Sequence, residues 1–378
     1  MLKFIHTADW QLGKPFANIE GDQGAFLRRQ RLDTIAKIGR LATEQKVDFI
    51  LVAGDVFDSN LPDPKVSRQA FSLMGESFSG KWFLLPGNHD AAETQSVWSR
   101  FKRDFASENI VIMDEPRAYR MADQQAVILP APLKRRHEAR DLTEWWDGYE
   151  SRPGDFRIGL AHGSLDALSQ YRGEAPNTIP LARVEAAKLD YLALGDWHGT
   201  VQAGKRVAYS GTPEPDRFRA NDSGNVLLVT IDAPGAEPII EPIATKSYLW
   251  LDLDRTVFSA ADCAAIKESL LEQKHPLNKI VLRLALKGTL NLEERSVLDD
   301  EIQKLTADLA YLETDNAELL AKPTSQDLDA IERSGFVRAA VEKLIVLMND
   351  ESNPEADLAR LALNYLYVEN KTLAKNEC

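Results

Sequence analysis

Residues 2–13, LKFIHTADWQLG, begin as an apolar run and end on a carboxylate, and that transition decides how the chain folds. Leu2, Phe4 and Ile5 read as a strand, and Asp9 emerges where the strand stops. Four further stretches repeat the design: FILVAGDVFD (49–58), WFLLPGNHD (82–90), RIGLAHG (157–163) and YLALGDWHG (191–199). Each places metal-binding residue types directly after an apolar run of strand length. Ligands at successive strand ends converge on one edge of a sheet, which is where open α/β proteins build their sites. Between these strands lie helical patterns. Arg28 to Glu44 is amphipathic through Leu32, Ile35, Ile38 and Leu41, and Pro64 to Phe78 predicts a second helix. The expected class is therefore α/β, in layers, with strands aimed at a common rim.

The rest of the chain is read the same way. After residue 110, IVIMD, RAYRM and AVILPA predict hairpins, and RVAYSGTPEP followed by NVLLVTID predicts a closing hairpin. The segment DAPGAEPIIEP, rich in Pro and Gly, marks a boundary. The expected domains are 1–240, a small α+β module over 245–320, and a helical segment over 325–378. In that last segment Val337, Val341, Leu344 and Met348 share one face, and Leu358, Leu361, Ala362 and Tyr365 another. Asn353 with Pro354 predicts a helix start. Two such helices either pack on the body or dock a partner helix.

Bulk properties limit the function. In a chain of 378 residues, a net charge of −13 argues against a free-standing, non-specific nucleic-acid binder. A nuclease remains open, because bound cations cancel site charge and a partner can supply basic surface. Two basic clusters stand out: Arg100, Lys102 and Arg103, then Lys134, Arg135, Arg136 and Arg140. They are either solvated faces or phosphate contacts near the site. The two cysteines, Cys263 and Cys378, make neither a disulfide framework nor a cysteine zinc site. No signal-peptide pattern opens the chain and no apolar stretch approaches a membrane span, so a cytoplasmic location is expected.

The five segments contain carboxylates, a carboxamide and three histidines, enough for two ions that share one Asp. Asp55 is the natural bridging carboxylate. Asn88 beside His89 suggests one ligand and one residue kept for acid–base work. Asp196 and His198, two apart, share a face in extended backbone. Trp10 and Trp197 flank ligands and are either core or a stacking surface for a base.

HTADWQLG, AGDVFDSN, LPGNHD, the AHG and GDWHG segments and the later YSGTPE resemble, in kind and order, the motifs of the calcineurin-like metallophosphoesterases. More narrowly they resemble the nuclease subunits of the SbcD and Mre-eleven type, including YhaO-like proteins. The resemblance covers residues 1 to about 240. It implies the metallophosphoesterase fold, a layered β-sandwich flanked by helices, with an α+β capping domain and C-terminal helices. It also implies metal one on Asp9, Asp55 and His198, with Gln11 at the motif's His position. Metal two goes to Asp55, Asn88, His162 and Asp196. His89 becomes the acid–base residue and Asp58 its orienting carboxylate. The implied activity is exo- and endonucleolytic hydrolysis of DNA within a double-strand-break repair complex. The implied partner is an SbcC-like ABC ATPase held by the C-terminal helices, and the implied assembly is a homodimer.

Gln11 and Asp196 depart from that pattern, which has histidines there. Both changes shift the donor set toward oxygen. Two divalent ions, Mn²⁺ or else Mg²⁺, are therefore expected in preference to zinc, with the first held less tightly. Two other functions fit the residues: a phosphodiesterase or phosphatase for a small substrate, and a non-catalytic scaffold whose metal site has degenerated.

Overall fold

In the computed structural model, β1 (Leu2–Thr7), β2 (Phe49–Val52), β3 (Lys81–Leu84) and β4 (Ile110–Ile112) alternate with α1 (Gln23–Glu44), α2 (Pro64–Ser77) and α3 (Val97–Asp104). There follow β5 (Tyr119–Met121), β6 (Ala126–Ala131), β7 (Phe156–His162), the short β8 (Ser164–Leu165) and β9 (Thr178–Ile179), then β10 (Tyr191–Gly195), β11 (Val201–Gly204), β12 (Val207–Tyr209), β13 (Asn225–Ile231) and β14 (Ile239–Ala244). The structure describes residues 1–19, 21–105, 107–168, 177–219, 221–259, 261–321, 324, 335–350, 353–356, 358–363 and 365–367. Two compact units divide at Ser247/Tyr248.

The first unit is a sandwich of two six-stranded sheets, ordered β14-β13-β1-β2-β3-β4 and β11-β12-β10-β7-β6-β5. The period of two along each strand assigns the layers. Phe49, Leu51 and Ala53 of the β2 stretch enter the core between the sheets, with Phe4, Ile128, Ile158, Leu160 and Tyr191. Ile50 and Val52, on the opposite face, meet Ile35 and Ile38 of α1 and Phe71 and Met74 of α2. The far face of the second sheet is covered by Trp146, Val184 and Leu189. Both sheets are parallel at their centres, β1-β2-β3-β4 and β6-β7-β10. Parallel strands buried on both faces explain the near-continuous apolar runs.

His6 shares the inward face with Leu2 and Phe4 and ties the two sheets together. Its Nδ1 lies 2.9 Å from the Tyr191 hydroxyl and its Nε2 lies 3.2 Å from the Leu194 carbonyl oxygen. The ring therefore donates from Nε2 and accepts at Nδ1, a neutral tautomer with both nitrogens used. Burial lowers its pKa to about 3.

Three pairings differ from those predicted. β12 and β13 do not form a closing hairpin: β12 lies in the second sheet beside β10, and β13 pairs antiparallel with β1 and β14 in the first. Of the hairpins expected after residue 110, β5 with β6 forms one, whereas β4 joins β3 in parallel. IIEPIA is β14 itself, so the Pro/Gly stretch before it is a turn between paired strands rather than a boundary. Local alternation marks a strand but does not encode its neighbour.

The second unit holds a parallel sheet, β15 (Leu249–Val257), β16 (Ile280–Leu290) and β17 (Tyr311–Ala321), with helices Ala261–Leu271 and Leu292–Asp308. The sequence reading missed β17, whose run YLETDNAELLA is too polar to announce a strand. Asn291 and Glu294 close a capping box at the start of the second helix. Of the predicted terminal segment, 325–334, 351–352, 357, 364 and 368–378 lie outside the described residues, Cys378 among them. The helix Phe336–Asn349 packs Val341 and Met348 against Leu292, Ala359, Leu363 and Tyr367. The buried face of the last helical stretch is thus Ala359, Leu363 and Tyr367, whereas the predicted face keeps Leu358, Leu361 and Tyr365 exposed. The Asn353 side chain accepts from the backbone N–H of Glu355, as a helix start requires. Among the described residues no helix is long and apolar enough to cross a membrane.

Candidate metal centre

The loops after β1 and β2 are laced to one another. Asp9 N–H donates to Gly54 O, Gln11 N–H to Asp55 O, Leu12 N–H to Val56 O and Asp58 N–H to Leu12 O, at 2.9–3.0 Å. Asp9, Gln11, Asp55 and Asp196 all have positive φ (54°, 43°, 52° and 95°). Left-handed backbone is uncommon outside glycine and clusters where a side chain must be re-aimed. Here it turns each side chain off its strand direction onto the sheet edge.

That edge gathers Asp9, Asp55 and His162, whose ligand atoms lie within 4.8 Å of one another, all three buried. His162 Nδ1 donates to Ala53 O at 2.8 Å, which leaves the lone pair on Nε2. Among the described residues, buried Nε2 of His162 and buried Oδ1 of Asn88 have no hydrogen-bond partner. Nε2 of His162 stands 3.5 Å from Asp55 Oδ1. A buried imidazole nitrogen without a hydrogen-bond partner beside two buried carboxylates suits a cation, and Asn88 Oδ1 is a further buried acceptor without a donor. A metal ion fits these residues.

Charge reports the same demand. Burial pushes the Asp9 carboxyl up to about 6, and Asp55 and Asp196 raise it further while His198 and His162 oppose them. Burial alone would lower the His162 pKa, but Asp55, Asp9 and Asp196 more than offset it, lifting the imidazole to about 9. The carboxylates thus favour positive charge at Nε2, which either a proton or a cation bound there supplies.

The other predicted residues are arranged around this cluster. The Asp196 backbone N–H faces both Asp9 oxygens at 3.1 and 3.2 Å, and its carboxylate accepts from Ser164 Oγ at 3.1 Å. The His89 backbone N–H donates to Asp55 Oδ1 at 2.9 Å, and its ring Nε2 stands 3.9 Å from Asp55 Oδ2. The ring is oriented by Asp58, but through the Asp58 backbone carbonyl, 3.0 Å from Nδ1, and not through the carboxylate that was expected. The carbonyl is the fixed partner because Asp58 N–H is itself bound to Leu12 O. His198 sits apart from the three-residue cluster: Nε2 lies 3.3 Å from Gln11 Nε2, and Nδ1 faces Arg217 Nη2 at 3.0 Å and Asp216 Oδ1 at 3.5 Å. Lys14 also binds Asp216 at 2.5 Å, so the Gln11 side of the centre carries protein cations. Asp216 is held well below the usual carboxylate range: burial would raise it, and His198, Arg31 and Arg217 override that.

The sequence reading passed over two supporting residues. Asp90 is fully buried and accepts from Gly87 N–H (2.7 Å) and Phe57 N–H (3.0 Å), tying the third loop to the second. Arg31, buried on α1, donates to Trp10 O, Asp9 O, Glu214 O and Thr212 Oγ1. The final D of GNHD was legible as a loop cap; Arg31 on a helix face carried no signal. Trp10 belongs to the core: it is buried, bonds Thr7 Oγ1 and stacks edge-on against Trp82. Trp197 is half-buried beneath Arg219.

Comparison with known proteins adds a family and several relatives. The description "Calcineurin-like phosphoesterase" matches residues 2–203. The SbcD component of the SbcCD nuclease of Bacillus subtilis (strain 168) is 25% identical over 333 residues, 74% of this chain and 83% of that protein. Its counterpart in the SbcCD nuclease of Escherichia coli (strain K12) is 26% identical over 290 residues, 64% and 70% of the two chains. The uncharacterized metallophosphoesterase YhaO of Bacillus subtilis (strain 168) is 26% identical over 306 residues, 76% and 72%.

Proposed function

The chain belongs to the calcineurin-like phosphoesterase family, and from that premise we propose that it is a metal-dependent phosphodiesterase acting on DNA, the nuclease subunit of an SbcCD-like complex. The observation that carries the reading is the buried cluster of Asp9, Asp55 and His162, whose ligand atoms converge within 4.8 Å and whose imidazole Nε2 has no hydrogen-bond partner among the described residues. Asp55, Asn88, His162 and Asp196 would hold one divalent ion, and Asp9, Asp55 and His198, with Gln11 beside them, a second. Bound there, the ions supply charge neutralisation and Lewis acidity at the phosphate. The oxygen-rich donor set favours Mn²⁺, with Mg²⁺ the alternative.

The chain's own residues do the rest. Asp58 O accepts the Nδ1 proton of His89, so the remaining ring site is Nε2, on a side chain still 29% exposed and open to substrate. On the doubly protonated ring Nε2 is the atom that passes a proton to the leaving oxygen, which leaves a neutral ring with its Nδ1–H on Asp58 O. Asp9 holds Asp196 by its backbone, which keeps the last loop in register with the first. The terminal helices support a docking role: Phe336, Val346, Leu358, Leu361 and Tyr365 are at least half exposed. We assign them to an SbcC-like ATPase, and the proposed assembly is a homodimer.

The test is hydrolysis of 3′- and 5′-labelled DNA duplexes with Mn²⁺, beside bis-p-nitrophenyl phosphate, each repeated with Asp55→Ala. Duplex cleavage lost in the variant is the expected result. Turnover of the small diester alone, with the ATPase present, would replace the nuclease by a small-substrate phosphodiesterase. No turnover of either, with no metal retained, would leave a scaffold.

A further inference from the structure

The two basic clusters have different fates. Arg100 binds Asn60 O, Lys102 binds Asp114 and Arg103 binds Asp104, so the first cluster is internally satisfied. In the second, Lys134 reaches Asp114 O, but the exposed side chains of Arg135, Arg136 and Arg140 have no hydrogen bond or ion pair among the described residues. Unpaired cations on one short loop are unexpected in a chain of net charge −13.

That loop is fastened to the metal centre. Asn177 accepts from Glu138 N–H at 2.7 Å and donates from Nδ2 to Arg136 O at 3.1 Å. Its own carbonyl accepts from Ser164 N–H at 3.2 Å, two residues beyond His162. The fit is close: a Cβ on Gly163 would lie 2.1 Å from Asn177 O. Beside the loop opens a cleft of about 350 Å³ lined by Pro116, Pro132, Lys134, Arg140, Leu142 and Trp145. A smaller recess shares Arg140 and Leu142 and continues to His162. Trp145 Nε1 is buried and, among the described residues, has no acceptor. Of the cleft's acidic members, Asp141 is bound by Arg183 and Glu144 is exposed.

We propose that this cleft holds the nucleic-acid strand flanking the scissile diester, its phosphates on Arg140 and Lys134 and one base against Trp145. The inference rests on the phosphodiesterase reading above and names where its polymeric substrate lies. Guanidinium groups suit phosphate through their planar fork, and an indole face accepts any base. The cleft therefore gives affinity for a strand without sequence preference.

The test uses the full chain, Mn²⁺-loaded, with a fluorescein-labelled, phosphorothioate-linked single strand followed by anisotropy. Arg140→Gln should weaken binding roughly tenfold at moderate salt and reduce the slope of log affinity against log salt by about 0.7. Trp145→Leu should weaken binding roughly tenfold with the slope unchanged. Both should turn over bis-p-nitrophenyl phosphate as the unsubstituted chain does. Should Trp145→Leu fail to fold by urea titration, exposed Arg140→Gln still decides. Unaltered strand binding in Arg140→Gln would overturn the cleft and leave the nuclease reading standing. No strand binding by the unsubstituted chain would overturn the cleft, and duplex turnover with the ATPase present would then decide the nuclease reading separately. Loss of small-diester turnover in Arg140→Gln with strand affinity intact would also overturn it, by moving Arg140 onto the reaction centre.

Discussion

Gly195→Ala tests whether the candidate metal centre is held by the fit between two strand ends. Gly195 closes β10 and pairs with His162 of β7. A Cβ at this position would sit 2.0 Å from Ala53 O and 2.7 Å from His162 Nδ1. Those two atoms form the 2.8 Å hydrogen bond that sets the His162 tautomer, so one methyl would wedge it open. The oxygen is backbone and cannot swing aside; its separation must grow from 2.0 Å to the 3.4 Å where ordinary contact begins. Overpacking of a close-packed site costs about 1–3 kcal/mol. Loss of the partner that orients a metal-binding His typically costs about 10–100-fold in metal affinity. Urea unfolding of the metal-free chain should therefore show a lower midpoint at unchanged slope, and calorimetric titration with Mn²⁺ a dissociation constant higher by at least about tenfold. The two readouts are separable. A destabilised variant with native Mn²⁺ affinity would refute the reasoning, because the clash would then be absorbed without disturbing His162.

Two further outcomes are expected. His89→Ala should lower turnover of a phosphodiester by about 10²–10⁴-fold while leaving metal content intact, because the contact with Asp55 is made by the His89 backbone N–H and survives the substitution; elemental analysis beside steady-state assay checks both halves. The buried His6 has a folded pKa of about 3 against an ordinary 6.5, so its contribution is fully present above pH 6.5 and is lost as pH falls toward 3. The slope is about 1.4 kcal/mol per pH unit in that window. Urea titrations at pH 7, 6, 5 and 4 should therefore be shallower in pH for His6→Gln by one proton's worth.

Much of the sandwich was legible because parallel strands buried on both faces are written as uninterrupted apolar runs, FILV and YLALG among them. The candidate centre was legible for a related reason: each run stops on a polar residue, and strand ends of a parallel sheet share an edge. Strand partners were not. RVAY and NVLLVTI are neighbours in sequence yet belong to opposite sheets, since nothing in an alternating stretch names the strand beside it. β17 was missed because half of its residues are polar. Arg31 escaped because its role is to satisfy loop oxygens more than 180 residues away in the chain, which no local pattern foreshadows. The Asp58 role came out on the wrong atom: sequence names side chains, while the group that meets His89 is backbone.

The positive φ angles of Asp9, Gln11, Asp55 and Asp196 have a consequence for how this chain responds to selection. Each is a conformation that glycine or asparagine adopts more cheaply, and three of the four also crowd like charges. Replacing any of the three aspartates with glycine or asparagine relaxes the backbone, the repulsion, or both, at the expense of a candidate ligand. Libraries screened for heat resistance would enrich substitutions at these positions, and libraries screened for turnover would purge the same ones.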